Sequence, residues 1–313
     1  MDFYKYMSAD TFFNHFYDNH KLKISKLSEF TDVYEPDTFI NSFDIKSKIE
    51  EEAFRTKMEE LRLSQKLILK ILNMGPQFWS EIFNPNTKTP FAKAYREILI
   101  KNKNIDFLKL ESEWKKCIAD TIINIQEIFK FCEEHLIVLC LSEKENSQIL
   151  YDLYGKHKGV MLEFDSKYIT DIIKVEYGQN LRKNHFMDSI PTLIQLFLEN
   201  KNSTKEIEIA QIFFKTYAFK NKDYDYEHEH RIIKDCSLLE TDPQLSKLKE
   251  TYLIDIGLPK SITLGYNFAK NDGFTAKIIA IKEFCKKYNI KLYQALKSDF
   301  DDEIMQRKEI NID

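Results

Sequence analysis

Glycine is scarce in this chain, 7 among 313 residues, and proline is equally rare at 7. Neither G-x-G-x-x-G nor G-x-x-x-x-G-K occurs, so dinucleotide-fingerprint and P-loop readings lack their main warrant. The five cysteines (Cys117, Cys132, Cys140, Cys236, Cys285) are scattered, odd in number and without a C-x-x-C pair. That excludes an obvious disulfide framework and points to buried free thiols in a reducing cytosol. No apolar run approaches the ~18 residues of a membrane span. Met1-Asp2-Phe3-Tyr4-Lys5-Tyr6 has neither a basic n-region nor an apolar h-region. A soluble, cytoplasmic protein without signal peptide or membrane partner is therefore expected. Net charge is -4, so nothing demands a polyanionic partner.

What is abundant is aromatic and charged. Phe 24 and Tyr 16 are high counts, and 43% hydrophobic residues can fill a large core. The pattern along the chain reads as α+β. Residues 3–7 are a first strand, Ser8 to His20 a helix with Phe12, Phe13, Phe16 and Tyr17 as its stripe, and Leu22 to Ser25 a second strand. Residues 45–133 are helical, with the clearest 3.6-residue period at 105–133, and read as an insertion. Phe78 and Trp79 beside Pro76 form a bend there, either local core or a dimer or partner surface. Strands follow at 136–141, 159–164, 173–177, 251–256, 261–265 and 290–295, and helices near 146–156, 188–200, 205–219 and 274–287. The tail 298–313 is polar and reads as frayed. The expected architecture is a single domain over 1–313: a mixed split sheet built from both chain ends, with the helical insertion at about 45–133.

The densest chemistry lies at Tyr226-Glu227-His228-Glu229-His230-Arg231, followed by Ile232-Ile233. Read as an extended strand, Asp225, Glu227, Glu229 and Arg231 share one face and Tyr224, Tyr226, His228 and His230 the other. Two carboxylates roughly 6.5 Å apart along a strand could serve one on a substrate hydroxyl and one on a nucleophile. The plainer alternative pairs them with Arg231 and Lys220. His228 and His230 could both ligate a metal, but no H-E-x-x-H or cysteine cluster supplies a third ligand, and no metal site is assigned.

Four motifs in order resemble an uncharacterised bacterial family, the DUF2971 proteins. They are Tyr4-Lys5-Tyr6 with the strand ending at Ser25; Phe30-Thr31-Asp32-Val33-Tyr34-Glu35 in place of F-N-D-P-F-E; Tyr151-Asp152-Leu153-Tyr154 with His157-Lys158-Gly159; and Lys220 with Tyr224 to Arg231 in place of W-x-Y-E-x-E-x-R. More loosely, the opening and Glu229-His230-Arg231-Ile232-Ile233 resemble compact ADP-ribosyltransferases. In those a first strand carries His or Arg, here Lys5, and a catalytic Glu opens a late strand. This resemblance implies an ADP-ribosyltransferase-like fold and NAD as substrate. Glu229 would stabilise the ribosyl cation and Glu227 would orient or deprotonate the acceptor. Lys5, Tyr6 and Ser25 would line the cofactor cleft, joined by Tyr154. Asp32 and Glu35 would grip ribose hydroxyls, and Arg231 and Lys220 would hold phosphates. The acceptor, protein or nucleic acid, is open, and phage defence or a toxin system is the implied setting. Tyr6 and Tyr154 also read as core aromatics, Asp32 as a turn cap and His157 as a turn residue. The alternative function is a non-catalytic ligand sensor or interaction module of a defence system. A buried carboxylate-lined cleft would favour the enzyme, an aromatic-filled one the module.

Overall fold

The computed structural model describes residues 2–30, 42–103, 106–198, 203–270, 274–297 and 305–312. It is α+β with a mixed sheet. Its strands are β1 (Asp2–Met7), β2 (Leu22–Lys26), β3 (Leu136–Ser142), β4 (Val160–Asp165), β5 (Ile172–Lys174), β6 (Glu176–Tyr177), β7 (Phe219–Lys220), β8 (Glu229–Asp235), β9 (Leu245–Leu248), β10 (Thr251–Ile254), β11 (Ser261–Leu264), β12 (Lys291–Leu296) and β13 (Gln306–Glu309). The chain falls into two compact units. One holds Met1–Asp32, Cys132–Gln179 and Ala218–Asp313; the other holds Val33–Phe131 and Asn180–Tyr217.

In the sheet unit the order is β13-β12-β11-β4-β1-β3-β2-β10-β9, with β8 also on β3 and β5 on β8. β11 and β12 are parallel; their other neighbours in the sheet pair antiparallel. β3 pairs with β8 along its whole length, from Leu136↔Asp235 to Ser142↔Glu229. A strand has two edges, so β1 and β2 must share the remaining one. They take opposite ends of it, β2 at Ile137 and Val138 and β1 at Ser142 alone. The sheet is thus split between β1 and β2, and the β3 ladder is interrupted in the gap. A buried carbonyl left without a partner is costly. In this gap the Lys5 ammonium donates to the Cys140 carbonyl at 2.9 Å.

Period-2 alternation sorts the residues onto two faces. Phe3, Met7, Leu22, Ile24, Ile137, Leu139, Leu141 and Ile232 enter one apolar core with Phe12 and Phe16, and with Ile281 and Phe284 of the helix Phe274–Tyr288. Tyr4, Tyr6 and Met161 face the opposite way, against Leu150 and Tyr151 of the helix Gln148–Gly155. The first helix departs from the expected α form: after Ala9–Thr11 it widens into a π-helix over Phe12–Tyr17. The tail also differs from the frayed expectation. β13 pairs with β12, and Arg307 reaches Glu145 at 2.8 Å and Glu163 at 3.1 Å. Main-chain pairing needs no apolar pattern, so composition concealed this strand.

The second unit is helical: Phe43–Glu60, Gln65–Leu72, Pro76–Phe83, Pro90–Lys103, the helix from Phe107, Leu181–Leu198 and Ser203–Thr216. It therefore takes in two helices beyond the segment 45–133. Trp79 is core: it stacks on Phe54 at 4.8 Å, and its indole N–H donates to the Ile71 carbonyl at 2.8 Å. No described helix is long and apolar enough to cross a membrane.

The junction of β1 and β4 has no room for a side chain at Gly159, where a Cβ would stand 2.1 Å from the Met7 carbonyl oxygen. At Gly155 the same atom would meet that oxygen at 3.5 Å, an ordinary contact. Gly159→Ala should therefore cost at least ~2 kcal/mol in chemical denaturation. Gly155→Ala, inside a helix, should be neutral or stabilising by up to ~1 kcal/mol. Equal effects would contradict this account.

Candidate functional site

The Glu-rich segment is not one strand. Lys222–Glu227 forms a 3-10 helix, His228 turns the chain with a left-handed φ of 43°, and β8 begins at Glu229. The shared strand face expected for Asp225, Glu227, Glu229 and Arg231 therefore holds only for Glu229 and Arg231. Glu227 reaches the same place by another route. The amine of Lys220, in β7, donates to Glu227 Oε2 at 2.9 Å and to Glu229 Oε2 at 3.1 Å. A one-residue left-handed turn has folded two carboxylates onto one lysine.

Glu229 is the more deeply fixed. It is 4% exposed, and Arg231, at 1%, grips it through Nε at 2.7 Å and Nη2 at 3.3 Å. Its backbone N–H donates to the Tyr177 hydroxyl at 2.7 Å. Burial opposes ionisation of Glu229, but the charge and hydrogen bonds of Arg231, with the charge of Lys220, prevail and hold its carboxyl down at about 2. Glu227 goes the other way. Burial pushes it up, Lys220 only partly offsets this, and the Glu229 charge adds to the rise. Neighbouring carboxyls driven apart in this way suit a fixed anion beside a proton carrier.

Lys5, Tyr6, Ser142, Tyr154, Glu227 and Glu229 line one small cavity, with Tyr4 and Cys140 at its wall. Five expected site residues thus converge: Lys5, Tyr6, Tyr154, Glu227 and Glu229. Lys5 is enclosed, and burial lowers its ammonium first, with Glu229 pulling the other way. The Tyr6 hydroxyl donates to the Lys144 carbonyl at 2.6 Å and accepts from the Ser147 N–H at 2.9 Å, so it fastens the loop after β3. Tyr154 is 43% exposed as a residue, yet its phenol is enclosed and shifted upward by burial and then by Glu227. It runs from solvent to the cavity wall.

The remaining expected residues divide. Ser25 faces the same side of the sheet as Cys140, through its register with Val138, but does not line the cavity. Arg231, expected to hold phosphates, instead lies buried beneath Glu229, with its guanidinium 5.8 Å from the Phe30 ring centre. Asp32 and Glu35 lie outside the described residues. His230 Nε2 meets Glu143 Oε1 at 3.2 Å, and His228 Nδ1 lies 4.0 Å from Glu143 Oε2. His157 is a turn residue, with φ of 58°.

The site also uses residues that the sequence reading left unassigned. The Ser142 hydroxyl donates to the Glu227 carbonyl at 2.6 Å and accepts from the Lys144 N–H at 2.9 Å. It ties the end of β3 to the 3-10 turn, and its position closing an apolar strand was the one available signal. Tyr177 had none, since its hydroxyl meets Glu229 only through the fold.

The cavity is small, with about 20 Å³ of room, enough for a water or a single functional group rather than a nucleotide. A larger hollow of about 230 Å³ is lined by Lys144, Glu145, Ser147, Asp225, Tyr226 and His228, close in sequence to Ser142 and Glu227. In comparisons with known proteins, no family model, curated protein or solved structure matches the chain.

The opposed carboxyls have opposite pH signatures. Glu229 ionises about 2 rather than at its ordinary 4.5. Its stabilisation is thus complete above 4.5 and is lost as pH falls toward 2. Glu227 is raised, so its contribution is complete at low pH and is lost as pH rises through its folded value. At pH 7 Glu229→Gln should cost about 3 kcal/mol, a deficit shrinking toward pH 2. Glu227→Gln should be neutral or stabilising at pH 7. Denaturation of both variants across this range checks the sign; equal losses at pH 7 would refute it.

Proposed function

We propose that the sheet unit is an ADP-ribosyltransferase-like enzyme acting on NAD, as a member of the DUF2971 proteins. The observation that carries the reading is the carboxyl pair itself: Glu227 and Glu229 on one lysine, driven in opposite directions, at the open end of a split sheet. Cleavage of the ribose–nicotinamide bond sends the bonding electrons out with nicotinamide and leaves a cationic, oxocarbenium-like sugar carbon. A fixed anion beside that carbon stabilises it, and Glu229 supplies one. The acceptor then bonds to the sugar carbon while its proton passes to Glu227, whose raised carboxyl makes it the more basic of the pair. Tyr154, at the cavity wall, would steady the ring, and the larger hollow at Tyr226 and His228 would take the rest of the molecule. A protein or nucleic-acid acceptor in a bacterial cytoplasm, within phage defence or a toxin system, completes the proposal.

A second reading has its own support. Lys5, Tyr6 and Glu229 are all engaged by protein partners, and the inner cavity has room for little more than a water. That favours a ligand-sensing or partner-binding module that uses the same end of the sheet without turnover.

The two separate on nicotinamide release by the purified chain, with and without bacterial lysate. Under the enzyme reading, Glu229→Gln should abolish release at matched folding, and Glu227→Gln should lower transfer to the acceptor by ~10²–10⁴-fold. No release from the parent chain, with no heat of NAD binding by calorimetry, would exclude the enzyme and leave the module.

A further inference from the structure

The far end of the same strand pair carries a different set of groups. Leu136 stands opposite Asp235 in the β3–β8 register. Continuing that antiparallel register by one residue sets His135, the last residue of the helix Phe107–His135, opposite Cys236. The topology thus brings an imidazole, a carboxylate and a thiol together from three adjoining elements. One ligand atom from each of His135, Asp235 and Cys236 lies within 4.8 Å of the others, and all three residues are half-buried. Among the described residues no other cluster of this kind occurs. The histidines singled out by sequence, His228 and His230, do not belong to it.

We propose that His135, Asp235 and Cys236 form a zinc-binding site. The donor set selects the metal. A thiolate with an imidazole excludes the all-oxygen cations calcium and magnesium, and one sulfur, one nitrogen and one oxygen suit zinc. Three protein ligands leave a fourth tetrahedral position for water. Zinc bonds of ~2.0–2.3 Å place ligand atoms ~3.3–3.8 Å apart, so closure needs a shift of about 1 Å.

The surroundings are suited to it. Asp235 Oδ1 accepts from the Ser237 N–H at 2.8 Å, which fixes the carboxylate and leaves Oδ2 to ligate. Binding displaces the thiol proton to solvent, so no oxidant or reductant is required. The site lies ~20 Å along β3 from the carboxyl pair and is independent of the proposed chemistry there. Its role is to clip the helix end, β8 and the 3-10 turn Cys236–Glu240 together.

Cobalt(II) titration of the metal-stripped full chain, under a thiol-free reductant, tests this directly. One equivalent should bind with a near-ultraviolet thiolate-to-cobalt band and the visible bands of tetrahedral cobalt, and zinc should displace it. Cys236→Ser should abolish the near-ultraviolet band. His135→Gln and Asp235→Asn, the latter retaining the cap on Ser237, should each weaken binding by at least ~10–100-fold. Absence of the band in the parent chain, or a band undiminished in Cys236→Ser, would overturn the proposal. If Cys236→Ser does not fold, unchanged affinity in both other variants would overturn it equally.

Discussion

Arg231 places a permanent positive charge inside the sheet, and the open end of the fold is arranged around it. Bringing such an ion out of water costs several kcal/mol even after relaxation. The nearest remedy is two residues away on the same strand face, where Glu229 accepts both arms of the guanidinium. Glu229 Oε2, shared with the Arg231 Nη2, also accepts from Lys220, which in turn holds Glu227. The chain of charges runs from the sheet interior to the cavity: cation, anion, cation, and a last carboxyl left with half a partner. Burial raises the Glu227 carboxyl, and half a share of Lys220 does not undo it.

How far this was legible depended on the kind of signal. Period-2 alternation placed Glu229 and Arg231 on one face, and the apolar run 136–141 marked the strand beside them. The gathering of Lys5, Tyr6 and Tyr154 with the two carboxylates was expected only through the resemblance to ADP-ribosyltransferases, not from periodicity or composition. The left-handed turn at His228 was not legible, because histidine, though enriched in that conformation, adopts it too rarely to mark a turn by itself, and tertiary contacts decide it. β13 was missed because a polar edge strand is held by its backbone and by Arg307. The His135, Asp235 and Cys236 cluster was invisible for a plainer reason: His135 stands 100 residues before Asp235 in the sequence and meets it only when β3 and β8 pair.

Lys5 illustrates how a structural and a chemical role can coincide. The split between β1 and β2 exposes a carbonyl that only a long donor can reach, and Lys5 supplies it. Arginine or histidine in that position would meet the carbonyl with a planar, directional donor. An ammonium makes one point contact on a flexible stem, and the gap it fills can close more tightly.

The pairing of distant strands also sets an order of events during synthesis. β1 is flanked by β3 and β4, so both its edges stay unpaired until more than 130 residues have followed it. β2 waits longer, for β10, and β4 needs β11. At ~5–20 residues per second of translation, the edges of β1 stay unpaired for roughly 7–27 s. The helical segment from Phe43 can meanwhile form its Phe54, Trp79 and Trp114 cluster from nearby residues. A nascent chain of this protein therefore carries an aromatic strand with unpaired edges while the helical segment is made, the interval in which a chaperone or an unwanted strand partner has access to it.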